Sequence, residues 1–143
     1  MHVEQMQTLV QPFVDDGTIL ERLPDEIATN IRSYTLAFDD EQLIGFSALH
    51  IHTTKLAEIR SLIVHEEFRD KGVGKELVSL GLQEGEGLGL KEVLVLTYKQ
   101  AFFEKLGFVE IPKESLPEHK IWADCIKCKH FPLCNEVSLI KKY

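Results

Sequence analysis

The sequence predicts one α/β domain of the α+β kind over residues 1–143, and three stretches predict it. Ala57 to Lys75 runs from an apolar strand (Ile59, Leu62, Ile63, Val64) through His65, Glu66 and Glu67 into a glycine-punctuated turn and then a helix. Val93-Leu94-Val95-Leu96-Thr97 is solidly apolar, as a strand buried on both faces requires. Val3, Met6, Leu9, Val10, Phe13 and Val14 recur at helical spacing until Asp15-Asp16-Gly17 stops them.

Taken in order, that first helix begins almost at the first residue. A second starts at Leu23-Pro24, where proline suits the first turn, and carries Ile27 and Ile31. Strands over about Ser33 to Phe38 and Leu43 to Ile51 are joined by the turn formers Asp39-Asp40-Glu41-Gln42, giving a hairpin that leads to the central strand. His50 and His52 alternate on it and are expected at the surface. The helix from Lys75 to Leu88 has apolar positions at Leu77, Val78, Leu80, Leu82 and Leu88. After the Val93–Thr97 strand, Tyr98 to Leu106 makes a short helix closed by Gly107, and Val137 to Ile140 is a last strand.

Composition bounds the function. A chain of 143 residues that is 44% hydrophobic fills one core. A formal net charge of -7 argues against nucleic acid or an anionic membrane as main partner, because phosphate backbones need a broad basic surface. No apolar run approaches the roughly 18 residues of a membrane span, and Met1-His2-Val3-Glu4-Gln5 lacks a signal peptide's layout, so a cytoplasmic location is expected. Cys125, Cys128 and Cys134 are an odd set that does not form a secreted disulfide framework.

The turn carries the chemistry. Arg69-Asp70-Lys71-Gly72-Val73-Gly74 fits R-x-x-G-x-G. Its glycines permit a tight turn and remove Cβ atoms that would keep a ligand from the backbone amides. The helix that follows points its unpaired N–H groups and positive dipole end at the same place, and Arg69, Lys71 and Lys75 add charge, so the site suits a phosphate. The pattern is neither a Walker loop nor the dinucleotide G-x-G-x-x-G.

It resembles motif A of the GNAT acetyltransferases, in which R/Q-x-x-G-x-G/A binds the pyrophosphate of acetyl-coenzyme A through backbone amides. Ala101-Phe102-Phe103-Glu104-Lys105-Leu106-Gly107-Phe108 looks like the family's Y-x-K-x-G-F segment. The resemblance spans roughly Leu43 to Ile111. It implies a central, mostly antiparallel sheet splayed between the family's fourth and fifth strands, helices on both faces, and the thioester arm of acetyl-CoA in the gap. GNAT domains usually open with a strand before the first helix. None is legible here, which leaves the next strand as an exposed edge. The implied cofactor contacts are Ile63 and Val64, whose backbone N–H groups would hold the oxyanion, Arg69, Asp70, Lys71, Gly72, Val73, Gly74 and Lys75, and Phe103. A homodimer is an assembly the resemblance allows.

Transfer of acetyl to an amine requires a neutral amine, a polarised thioester carbonyl and a protonated leaving thiolate. Glu58 sits where several GNAT enzymes place a carboxylate base, with a water relayed by backbone carbonyls as the competing route. Strand alternation puts Glu58 and Arg60 on one face. The family's tyrosine acid is replaced by Phe102-Phe103, which cannot donate a proton, and Tyr98 is the substitute candidate.

Arg22-Leu23-Pro24, Ala57 to Val64, and Val95-Leu96-Thr97 with Phe102-Phe103 look like the catalytic domain of N-acetylglutamate synthases, and the tail Ile121 to Glu136 looks like their short stand-alone bacterial members. That resemblance implies L-glutamate as acceptor and a place at the entry to arginine biosynthesis. An α-amino dicarboxylate calls for fixed cations, and Arg22 and Arg60 are the candidates. Cys125-x-x-Cys128 and Cys134, with His119 and His130 nearby, are open to three readings: buried reduced thiols, a zinc site, or a redox pair; of these we adopt no metal. Another small amine, a protein N-terminus, or acyl-CoA binding without turnover are the alternatives to glutamate acetylation.

Overall fold

A computed structural model describes residues 2–17, 21–112 and 137–143. The cysteine tail, including His119 and His130, lies outside them.

Helix α1 spans Val3–Asp15 and buries Met6. Helix α2, Pro24–Thr29, opens on the expected proline and buries Ile27. A 3-10 turn at Ile31–Ser33 feeds strand β1, Tyr34–Asp39. Asp40 takes a left-handed conformation (φ 53°) at the tip of the hairpin into β2, Gln42–Ile51. Thr53 Oγ1 accepts from the N–H groups of Lys55 and Leu56 and turns the chain into β3, Leu56–Val64. Helix α3 is Val73–Gly87, β4 Glu92–Thr97, α4 Gln100–Glu104, β5 Val109–Ile111 and β6 Val137–Lys142.

The six strands form one sheet in the order β1-β2-β3-β4-β6-β5. All neighbours are antiparallel except β3 and β4, which run parallel and pair only over Leu56–Glu58 and Glu92–Leu94. Beyond Glu58 the two strands are no longer paired, and this is the expected split. It falls between the chain's third and fourth strands because no strand precedes α1 among the described residues. As expected, β1 is left at the sheet edge. β5 was not foreseen: three residues directly after Phe108 are too short for alternation to mark.

Helices cover both faces. Val78 of α3 and Phe103 of α4 pack with Leu49, Ala57, Ile59, Val93, Val95 and Leu139 on one. On the other, Met6 and Ile27 pack with Leu43, Phe46 and Ile63. Ile59 and Ile63 have the same parity yet serve opposite cores because of a β-bulge. Phe46 pairs with Ile63 but Ala48 pairs with Arg60, so Ser47 opposes both Ser61 and Leu62, and Ser61 sits at φ 57°. The bulge turns Leu62 toward the first core and Ile63 to the α1–α2 side, the side Arg60 already faces by alternation with Ile59.

Candidate active site

The R-x-x-G-x-G turn folds as its residues dictate. His65 N–H is held by Ile44 C=O at 2.6 Å where β3 ends, and a 3-10 turn Glu66–Phe68 follows. Asp70 (φ 62°) and Gly72 (φ 83°) are both left-handed, and Gly72 is the N-cap of α3. Gly72 is required for conformation alone, since nothing lies within 4 Å of where its Cβ would be. The first amides of α3 therefore open onto a cavity of about 450 Å³.

That cavity is lined by Ile63, Val64, Arg69, Asp70, Gly72, Val73, Gly74 and Lys75 of the expected set, and by Phe13, Leu62, Phe68, Lys99 and Phe102. Arg69 lies over the Phe13 ring at 5.4 Å, and Lys71, outside the lining, lies over the Phe68 ring at 5.4 Å. Phe103 needs correction. It is 3% exposed and packs edge-on against Phe108 in the core, while Phe102 faces the cavity and lies beside Gly74. Helical geometry separates neighbours by about 100°, so the two rings cannot share one surface.

A second, smaller pocket of about 30 Å³ lies on the α1–α2 side, lined by Arg22, Glu26, Asn30, Ser33, Tyr34, Ala48, His50 and Arg60. Its volume admits one small group, such as a carboxylate, rather than a whole amino acid. The two arginines, distant in sequence, meet here. Gln7 of α1 donates to Arg22 C=O at 3.4 Å. The Arg22 guanidinium, 20% exposed, lies 3.9 Å from Glu26, whose other oxygen accepts from Leu23 N–H at the start of α2. Tyr34 packs edge-on against Phe46, and burial pushes its hydroxyl above the usual range against the opposing pull of Arg22 and Arg60.

Glu58 is 1% exposed in mid-strand. A lone carboxylate there would cost several kcal/mol, and His52 Nε2 meets its Oε1 at 2.9 Å. Arg60 Nη2 donates to His50 Nδ1, also at 2.9 Å. Of the two histidines expected at the surface, His52 is inside, its side chain 3% exposed, and its ring meets that of the half-buried His50 edge to face at 4.8 Å. In the hairpin His50 pairs with Glu58 and Ala48 with Arg60, so both contacts are diagonal ones across β2 and β3. The signal was present as His-x-His opposite Glu-x-Arg. What alternation does not tell is that α2 and the segment before it cover that face.

Tyr98 follows β4 at the open end of the gap, 41% exposed, and lines neither cavity. Among the described residues no group of three or more His, Cys, Asp or Glu side chains is placed to hold a metal ion. No described helix is long and apolar enough to cross a membrane.

The sequence profile of the acetyltransferase (GNAT) family matches residues 4–108, most of the chain. The chain belongs to the GNAT acetyltransferase family. An uncharacterised N-acetyltransferase of Chlorobaculum tepidum is 40% identical over 133 residues, 93% of this acetyltransferase and 85% of that protein. The amino-acid acetyltransferase of Vibrio cholerae is 28% identical over 114 residues, and the match spans 78% of this chain but only about a quarter (26%) of that longer enzyme. In fold, this GNAT chain is similar to the N-acetylglutamate synthase of Neisseria gonorrhoeae, solved with coenzyme A and N-acetyl-glutamate. The TM-score is 0.87 at 21% identity, covering 99% of this chain and 32% of that one.

Proposed function

We propose that this GNAT enzyme transfers acetyl from acetyl-CoA to the α-amine of L-glutamate, as at the start of arginine biosynthesis, by direct attack within a ternary complex. One observation carries the acceptor reading: Arg22 and Arg60 line a single carboxylate-sized pocket, with Glu58 one strand repeat, roughly 7 Å, from Arg60 on the same face. Relatives named amino-acid acetyltransferase and the likeness to N-acetylglutamate synthase support it.

The chain's own residues divide the work. The amides at the start of α3, with Arg69 and Lys75, suit the pyrophosphate of the cofactor. Phe102 and Leu62 give its arm an apolar wall. Guanidinium forks at Arg22 and Arg60 hold the acceptor's side-chain carboxylate, so an acceptor with a neutral side chain loses these charge-assisted contacts. Glu58 takes the proton from the α-ammonium, freeing the nitrogen lone pair for the thioester carbonyl, whose developing oxyanion is met by a backbone N–H near Ile63 or Val64. Collapse breaks the carbon–sulfur bond, and the proton left on the acylated nitrogen passes to the departing thiolate, giving the amide and free coenzyme A thiol. Coenzyme A thiolate is a good leaving group, so Tyr98 supplies at most a late proton, and Tyr98→Phe is expected to lower kcat less than about tenfold.

The test is free-thiol release from acetyl-CoA with each common amino acid as acceptor. Release with glutamate at least about tenfold above aspartate and glutamine is expected. Equal release with all acceptors, or none alongside cofactor binding, would overturn the glutamate reading.

A further inference from the structure

We infer that His50 and His52 are positioning residues for the two working side chains of β3: His50 aims the Arg60 guanidinium into the acceptor pocket and does so only while its imidazole is neutral, and His52 fixes the Glu58 carboxylate.

The roles follow from donors and acceptors. A guanidinium has N–H groups and no acceptor, so the 2.9 Å contact from Arg60 Nη2 makes His50 Nδ1 the acceptor and leaves the imidazole proton on Nε2. A second proton on His50 sets N–H against N–H and cation against cation, and the contact is lost. At His52 the polarity is reversed. Its Nε2–H donates to Glu58 Oε1 at 2.9 Å, and protonation of that ring strengthens the bond. Two rings in contact at 4.8 Å therefore answer acidification in opposite senses, and the charge of one opposes the charge of the other. Among the described residues, the charged and titratable groups around His50 include Arg60 and Glu58 from β3, Tyr34 from β1, Arg22 and Glu26 at the start of α2, and His52 from its own hairpin.

This inference rests on the acceptor reading of Arg60 and Glu58, and its test separates the two. With whichever amine the wild type acetylates, acceptor KM is measured from pH 5.5 to 8.5 for the wild type and His50→Gln, whose amide oxygen accepts from Arg60 at every pH. Wild-type KM is expected to rise, towards about tenfold per pH unit, as acidification protonates His50. His50→Gln should stay within about twofold across the same range, and an equal rise in both overturns the role of His50.

For His52, His52→Phe should lower kcat about tenfold or more at little change in acceptor KM, while His52→Gln, which keeps an N–H donor, restores most of it. Failure of that rescue overturns the role of His52. ¹⁵N NMR of the imidazoles needs no turnover. Arg60→Gln should move the His50 Nδ1 resonance, and Glu58→Gln that of His52 Nε2. Unmoved resonances overturn the pairings themselves. An enzyme that shows the NMR shifts but acetylates no amino acid refutes the glutamate reading and leaves the pairings standing.

Discussion

Glu58 concentrates the cost of this site in one residue. A buried carboxylate in the middle of a strand destabilises the fold unless it is paired, and here the pairing comes from the adjacent strand of the same hairpin. Removing the charge while keeping the shape isolates the chemistry. Glu58→Gln is expected to lower kcat by about 10²- to 10⁴-fold with acetyl-CoA affinity unchanged, measured by steady-state kinetics beside calorimetric binding. Arg22 and Arg60 were legible as a pair of fork-shaped cations, and the structure brings both to one pocket. The burial of the His52 side chain was not legible, because alternation along a strand assigns a face without saying what packs on it. Tyr34 was missed for the same reason: its part in the pocket depends on a segment a dozen residues earlier in the chain.

At the scale of elements, strand–turn–helix order was readable from apolar periodicity and glycine, while lengths were not. α4 spans only Gln100–Glu104, and α3 begins at Val73, so that Lys75 lies within its first turn. The neighbouring phenylalanines give a clean pair of variants. Phe103→Ala should cost about 3–5 kcal/mol of stability, whereas Phe102→Ala should leave the fold largely intact and weaken cofactor binding, read by urea denaturation and by titration with coenzyme A. Two glycines differ in the same instructive way. A Cβ on Gly45 would stand 2.8 Å from Ile63 C=O, so Gly45→Ala forces β2 from β3 beside the cofactor cavity and should cost about 1–3 kcal/mol. Gly72→Ala meets open space and should cost only the left-handed strain, about 1 kcal/mol.

For the molecule as a whole, two tyrosines lower stability at alkaline pH. Burial raises Tyr34, and burial with Glu86 raises Tyr143, whose hydroxyl donates to Leu82 C=O. The unfolded chain releases these protons near pH 10 and the folded chain only at higher pH. Stability is therefore unaffected by them below about pH 10 and declines as pH rises through their raised folded values. Tyr34→Phe should flatten that decline in denaturation midpoints taken from pH 9 to 11. Ligand linkage acts in the other direction: coenzyme A at a hundred times its Kd should stabilise the wild type by about 2.7 kcal/mol, and removing Arg69 and Lys75 together should abolish most of that gain.

The three-residue ladder between β3 and β4 makes the sheet two leaves joined at a short seam. Main-chain amides along the free flank of β3 past that seam lack strand partners in β4, so deuterium should enter them early. An amide-bearing arm laid in the gap would close them, and the slowed uptake, mapped residue by residue from Ile59 to Val64, would trace the ligand's path without any label on the ligand.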